Sequence, residues 1–279
     1  MIVIKKSILK KAYKKRKMWA RKGDYGHLLV VGGSKLYTGA PFLAGLAALR
    51  TGCDLVTVAA PERAANIAAR NLNLITYPLK GDFIKVSHIR ELLELSRGKD
   101  AIVIGNGIGR RKETFLAVNK FLGKISVPCV IDADAIHAVA VENRKKFSQK
   151  LVFTPHAHEF YILTGKKVTT DLKERIAAVK AVAKKLNATI LLKGQVAVIS
   201  DGAITAINRR ISTYATKGGT GDVLAGACGS LLAQGIEPFY AACAASYIIG
   251  MAGHIAARRR KQSMMATDVI EKLPDAIQA

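Results

Sequence analysis

The sequence predicts an α/β fold, a three-layer α/β/α sandwich on a mainly parallel sheet with an antiparallel edge, and three observations carry that prediction. Short apolar runs without polar alternation recur along the chain, as strands buried on both faces require. Segments with apolar residues at helical spacing separate most of them, which implies βαβ crossovers and parallel pairing. Near the C-terminal third, "VAVISDGAITAI" (196–207) reads as a hairpin turning at Asp201-Gly202, which adds antiparallel strands to one edge.

In chain order the predicted strands are "HLLVVGG" (27–33), "LVTVAA" (55–60), "LITYPL" (74–79), "AIVIGNG" (101–107), "PCVIDADA" (128–135), "LVFTPH" (151–156) and "TILLKG" (189–194). Helical spacing marks 40–51, 111–122 and 171–187 between them, and 222–234 and 239–257 after the hairpin. The last of these is apolar nearly all round, so it is expected to pack deep or at a subunit contact. No repeat or linker divides 23–279, which reads as one domain behind a basic arm at 1–22.

The bulk properties bound the function. A chain of 279 residues, half of them hydrophobic, buries a substantial core. The formal charge of +24 favours polyanionic or phosphorylated ligands without identifying one. Ten Lys/Arg and no acid fall within residues 1–22, where a solvated arm is expected and a nucleic-acid-binding tail is the alternative. Cys53, Cys129, Cys228 and Cys243 are scattered without a CxxC pair, so buried reduced thiols are expected rather than a metal site or disulfides. Neither an apolar leader nor a run of roughly 18 apolar residues is visible, so no membrane association and a cytoplasmic location are expected.

In an open parallel sheet, ligands bind beyond the carboxyl ends of the strands. The chemistry-bearing residues follow the strands here. "KGGTGDVLAG" (217–226) puts Gly218, Gly219, Thr220 and Gly221 before a lone acid, Asp222, and an apolar helix. Inward-facing glycine amides and a helix terminus stabilise negative charge, which makes an anion hole. Asp222 is then either a helix cap or a base that takes the proton of a hydroxyl attacking a phosphoryl group. "TPHAHEF" sets His156 and Glu159 on one helix face, placed to hold substrate, water or a hydrated Mg²⁺, with Thr154 and Pro155 as an ordinary helix start instead. Asp132 and Asp134, two apart at a strand end, read as an Asx turn or as neighbours of metal or substrate, and Lys193 as a phosphate contact or a solvated strand terminus. "GGSKLYTGAPF" and "GNGIG" are further glycine-rich turns, matching neither GxGxxG nor a P-loop.

In this order the pieces resemble the NAD(P)H-hydrate dehydratases of the ribokinase-like superfamily. The likeness runs from "KGDYGHLLVVGGSKLYTGAPFLAGLAALRTGCDLVTVAAPE" (22–62) through "IGNGIG", "VIDADAIH", "FTPHAHEF" and "LLKGQ" to "GGTGDVLAGACGSLLAQG" (218–235). It implies a ribokinase-like fold and a repair enzyme that returns the S-hydrate of NADH or NADPH to the reduced cofactor. The ring hydroxyl is phosphorylated from ADP, or from ATP in eukaryotic members, with Mg²⁺, and phosphate then leaves. It also implies that Asp222 is the base, that residues 218–221 hold the transferring phosphoryl group, and that Ala40, Gly107 and His156 join Asp222 around the hydrated dinucleotide. Lys193, Gly194, Gln195, Val196, Ala197 and Gly221 would line the adenine nucleotide, and Glu159 would touch the metal only through water.

Two departures accompany it. Family members often have Pro where Asn106 and Ala157 stand, read here as a matter of loop stiffness, and many carry an N-terminal epimerase domain, so a separate epimerase is expected. The resemblance and the apolar last helix suggest a homo-oligomer, such as a tetramer. A small-molecule kinase on the same fold and a nucleic-acid binder are the rival readings.

Overall fold

The structure, a computed structural model, describes residues 1–141 and 149–278. Its elements are β1 (Ile2–Val3), α1 (Leu9–Ala12), β2 (His27–Val31), α2 (Ala40–Arg50), β3 (Leu55–Pro61), α3 (Glu62–Ala68), β4 (Ile75–Leu79), α4 (Ile89–Ser96), β5 (Ala101–Ile104), α5 (Lys112–Leu122), β6 (Cys129–Ile131), α6 (Asp134–Val141), β7 (Leu151–Phe153), α7 (Ala157–Thr164), α8 (Leu172–Leu186), β8 (Thr189–Leu192), β9 (Ala197–Ser200), β10 (Thr205–Asn208), α9 (Thr220–Ala233), α10 (Pro238–Arg260), α11 (Ala266–Glu271) and α12 (Leu273–Gln278). They build the predicted three-layer sandwich around one ten-stranded sheet, ordered β1-β10-β9-β8-β7-β6-β5-β2-β3-β4.

Among the described strands only β9 opposes the common direction. It is antiparallel to β8 and β10, while β10 pairs in parallel with β1. The hairpin turns where the sequence places it: Gly202 takes a φ of +93°, and Asp201 Oδ1 accepts from the amides of Ala203 and Ile204. Alternate residues of each strand enter opposite layers. Leu28 and Val30 face α2, α9 and α10, whereas Leu29 and Val31 face α5, α6 and α8. Two-sided burial is why the central strands read as continuous apolar runs, whereas β4, expected to be buried on both faces, lies at the sheet edge with Ile75 exposed.

β2 lies between β3 and β5, so the chain leaves β2 in one direction and later returns to its other side. Strand order reverses there, and the loops after β2 and β5 open a crevice. They touch across it: the Gly33 amide donates to the Asn106 carbonyl at 2.7 Å.

The basic arm differs from expectation. Ile2 and Val3 pair with Ala206 and Ile207, and Ile4, Leu9 and Ala12 join the core, so residues 2–12 are part of the fold rather than a solvated tail. Their apolar residues, interleaved with lysines, cover a sheet edge that would otherwise expose unpaired backbone groups. Residues 14–22 are exposed, Trp19 by 90%, although Arg16 is tied to Asp54 and to the Gly52 carbonyl. α10 is long and apolar enough to cross a membrane by length and composition, but it is mostly buried inside the protein against α9 and α12, which accounts for its apolar circumference. All four cysteines are free and buried.

α2 and α9 bring two site-bearing N-termini together, and glycine permits it. A Cβ on Gly226 would overlap the backbone of Ala44. Gly226→Val is therefore expected to destabilise the protein by about 1–3 kcal/mol, the usual range for overpacking. Thermal melting checks this, and an unchanged midpoint would mean the two helices separate freely.

Candidate active site

The glycine-rich turn before α9 forms as an open cradle. Gly219 takes a left-handed φ of +91° and stands at the N-cap, so the helix starts at Thr220, earlier than the sequence suggests. Asp222 thereby sits within the first turn instead of capping it. No side chain caps this helix, and Asp222 Oδ1 instead accepts from Asn106 Nδ2 at 2.7 Å. Its Oδ2 has no protein partner among the described residues. Among the described residues the amides of Gly218, Gly219, Gly221 and Asp222 have no acceptor either, and Thr220 N reaches the Lys217 carbonyl only at 3.4 Å. Free amides at a helix N-terminus beside a carboxylate with one open oxygen fit a phosphoryl group and its attacking hydroxyl.

Asn106 extends the site. Its side chain is fully buried, and Nδ2 also donates to Asp132 Oδ2 at 3.0 Å, so one amide group spans two carboxylates. Asp132 Oδ1 accepts from Thr154 Oγ1 at 2.7 Å and pairs with Lys193 Nζ at 2.9 Å. Lys193 lies 3.5 Å from Glu159 Oε2, and a Cβ on Gly221 would lie 3.4 Å from its Nζ. Burial alone would lower the Lys193 pKa, but the Asp132 and Glu159 carboxylates outweigh it and hold the ammonium above its usual value. Burial pushes the Asp222 carboxyl up to about 7, helped by the Asp132 charge and opposed by Asn106 and Lys193. A base with a pKa near the working pH is well matched to proton transfer.

His156 is placed differently from the simplest reading. Its Nδ1 accepts from the amides of His158 and Glu159 and so caps α7, while the Glu159 carboxylate returns a bond to the His156 amide at 2.7 Å. Thr154, a cap candidate from sequence, serves Asp132 instead. Burial lowers the His156 pKa, with Lys193 and His158 acting the same way against Glu159. The neutral ring then presents Nε2, 3.4 Å from Glu159 Oε1. Glu159 is thus committed to a backbone amide, Lys193 and His156. Asp134 opens α6 and accepts from the Gly109 amide and Arg110 Nε, and the chain turns between it and Asp132 at Ala133, whose φ is +50°. Alternation along a strand therefore does not relate the two acids.

Ala40 starts α2, and a Cβ on Gly107 would lie 3.0 Å from its Cβ, so these two expected substrate contacts adjoin. Lys193, Gly194, Gln195, Ala197 and Gly221 line one largely apolar cleft of about 200 Å³ with Leu224 and Ile249. Val196 packs into the opposite core instead. Asn106 is the site residue the sequence reading undervalued. Its signal was an amide able to donate twice, directly after a central strand.

Comparison with known proteins decides the family. The sequence model described as NAD(P)H-hydrate dehydratase matches residues 28–275. The chain belongs to that family. Its relatives include the bifunctional NAD(P)H-hydrate repair enzyme Nnr of Hyperthermus butylicus, 41% identical over 95% of this chain and 51% of the relative. The chain thus spans about half the length of that and similar curated relatives. The ADP-dependent (S)-NAD(P)H-hydrate dehydratase of Cenarchaeum symbiosum is 37% identical over 94% of this chain and 92% of its own. A Bacillus subtilis ADP/ATP-dependent NAD(P)H-hydrate dehydratase, co-crystallized with ATP/Mg²⁺, superposes with a TM-score of 0.86 at 24% identity, covering 99% of this chain and 98% of its own. That likeness shows the fold, the ribokinase-like sandwich.

Asn106 bears on the charge state of Asp222, whose carboxyl is expected to ionise as pH rises through about 7. Asn106→Leu removes a bond that favours the ionised form, so this titration should move alkaline by roughly one pH unit. An NMR titration of the Asp222 carboxyl with the same midpoint in both proteins would deny Asn106 that influence.

Proposed function

We propose that the protein is an ADP-dependent dehydratase acting on the S-hydrates of NADH and NADPH, and that Asp222 is its general base. The observation that carries this reading is Asp222 itself: one oxygen held by Asn106, the other open, at a helix terminus whose first amides are unused. Asp222 takes the proton from the ring hydroxyl as that oxygen attacks the terminal phosphorus of ADP, whose bridging P–O bond breaks to release AMP. The amides of residues 218–221 hold the charge on the transferring group, and Lys193 lies beside them. Phosphate is a far better leaving group than hydroxide at neutral pH. The ring nitrogen's lone pair expels it, and loss of a proton from the adjacent carbon restores the double bond.

The apolar cleft bounded by Lys193 to Gln195, Ala197 and Gly221 suits an adenine base, with the phosphates directed at the α9 terminus. The substrate would lie against Ala40, Gly107 and His156. Mg²⁺ fits only as a passenger on the nucleotide. Among the described residues no group of three or more His, Cys, Asp or Glu is placed to hold a metal, and the Glu159 oxygens are engaged. When bound, the ion would neutralise phosphate charge, retaining water as Mg²⁺ commonly does. The reading extends to a cytoplasmic homo-oligomer. Reduced, buried thiols agree with the first, while α10, packed within the chain, leaves the second to sedimentation measurements.

Purified protein given hydrated NADH, Mg²⁺ and either ADP or ATP should restore reduced-nicotinamide absorbance and release phosphate. A stable phosphorylated product, without recovery of that absorbance, would make the protein a small-molecule kinase instead.

A further inference from the structure

The loop that brings Asn106 to Asp222 also borders a second concavity. A cleft of about 490 Å³ is lined by Lys35, Tyr37, Arg63, Phe83, Arg110 and Arg111, with Asp82 the acid among its lining residues. Two of its four cations are tied to acids: Lys35 Nζ to Asp82 at 3.1 Å and Arg110 Nε to Asp134 at 2.9 Å. The other two have no acidic partner among the described residues. The Arg111 guanidinium lies over the Phe83 ring, 4.4 Å from its centre, and its N–H groups have no hydrogen-bond partner among the described residues. Arg63 is free at the cleft wall.

A +24 chain has many solvated surface cations, so charge alone identifies nothing. Concavity, orientation and continuity with the candidate active site set this group apart. Asp134 binds both the Gly109 amide and Arg110, so one carboxylate holds loop and cation together. Gly109 lines the cleft and lies three residues beyond Asn106, a span of at most about 10 Å of chain. Guanidinium groups present paired donors that match phosphate oxygens.

We propose that this cleft binds the diphosphate bridge of the dinucleotide, with Arg63 and Arg111 as its principal contacts. The inference rests on the dehydratase reading for its substrate. A reacting ring at Asp222 is joined through one ribose to a diphosphate, and Gly107, on the same loop as Asn106, packs against both Ala40 and Tyr37, the latter a wall of the cleft.

The test uses two probes with ADP saturating: NADH, which carries the diphosphate, and reduced nicotinamide riboside, which lacks it. Arg63→Ala/Arg111→Ala should weaken NADH about 10-fold or more, as loss of charge-assisted contacts does. Riboside and ADP affinities should stay as in the parent protein. Arg63→Lys/Arg111→Lys should recover part of the loss, because the charge remains while the paired donors do not. Unchanged NADH affinity, equal weakening of riboside or ADP, or a parent protein that does not bind NADH would each overturn the site. A parent protein that binds NADH through these arginines yet dehydrates no hydrate would keep the cleft and remove the proposed reaction.

Discussion

Asp222→Asn is expected to fold, to bind ADP with parental affinity and to lose about 100-fold or more in kcat, the range a general base contributes. The amide keeps the shape and still meets Asn106 but has no site for the hydroxyl proton. Stability should move the other way. The Asp222 carboxyl titrates near 7 in the folded protein, against roughly 4 in an unfolded chain. The native state therefore holds its proton more tightly, and stability falls as pH rises from about 4 through about 7. Replacing the acid removes that cost, so the variant should melt higher than the parent at pH 8 and no higher at pH 4. A stability gain with activity lost is the signature of a strained catalytic group. Kinetics within a few-fold of the parent would remove Asp222 from the mechanism, and equal melting at both pH values would mean its burial costs nothing.

Lys193→Met is the second large expected effect, and it falls on stability as well as nucleotide binding. The ammonium faces Asp132, 1% exposed, and Glu159, 6% exposed. Removing one partner of a buried ion pair leaves its charge uncompensated, at a cost of about 3 kcal/mol. For a chain of this size the melting midpoint should drop by roughly 6–12 °C. Because the Lys193 pKa is raised, its contribution persists through the neutral range and fades only in strongly alkaline solution. Adding Asp132→Asn to Lys193→Met should recover part of the lost stability, since the stranded charge is gone, and a double-mutant cycle measures that coupling. Simple addition of the two single losses would show that the pair does not interact.

Most of the fold was legible from one chain because two-sided burial writes itself into local sequence as short apolar runs, and turns such as Asp201-Gly202 end them. The basic arm misled for a related reason. Lysines dominated the composition of residues 1–22 and obscured Ile4, Leu9 and Ala12, whose burial depends on a sheet edge some two hundred residues away in β10. In the candidate site, the glycine turn and Asp222 could be singled out because they lie within one short stretch. Asn106 was read as loop stiffness, and His156 as placed to hold substrate, water or a hydrated Mg²⁺ with its capping of α7 unseen, because hydrogen-bond partners are not encoded by neighbouring letters.

The sequence by itself determined the layers, the order of the motifs and the glycine-acid turn, all of which follow from periodicity and local backbone preference. Only the tertiary structure decided which groups meet. Asn106 and Asp222 are 116 positions apart, and Lys193 and Asp132 are 61 apart. They come together because β5 returns beside β2 and the later strands add outward from it, so loops distant in sequence share one end of the sheet. Strand order is settled by packing across the whole chain, and the pKa of Asp222 follows from that assembled burial.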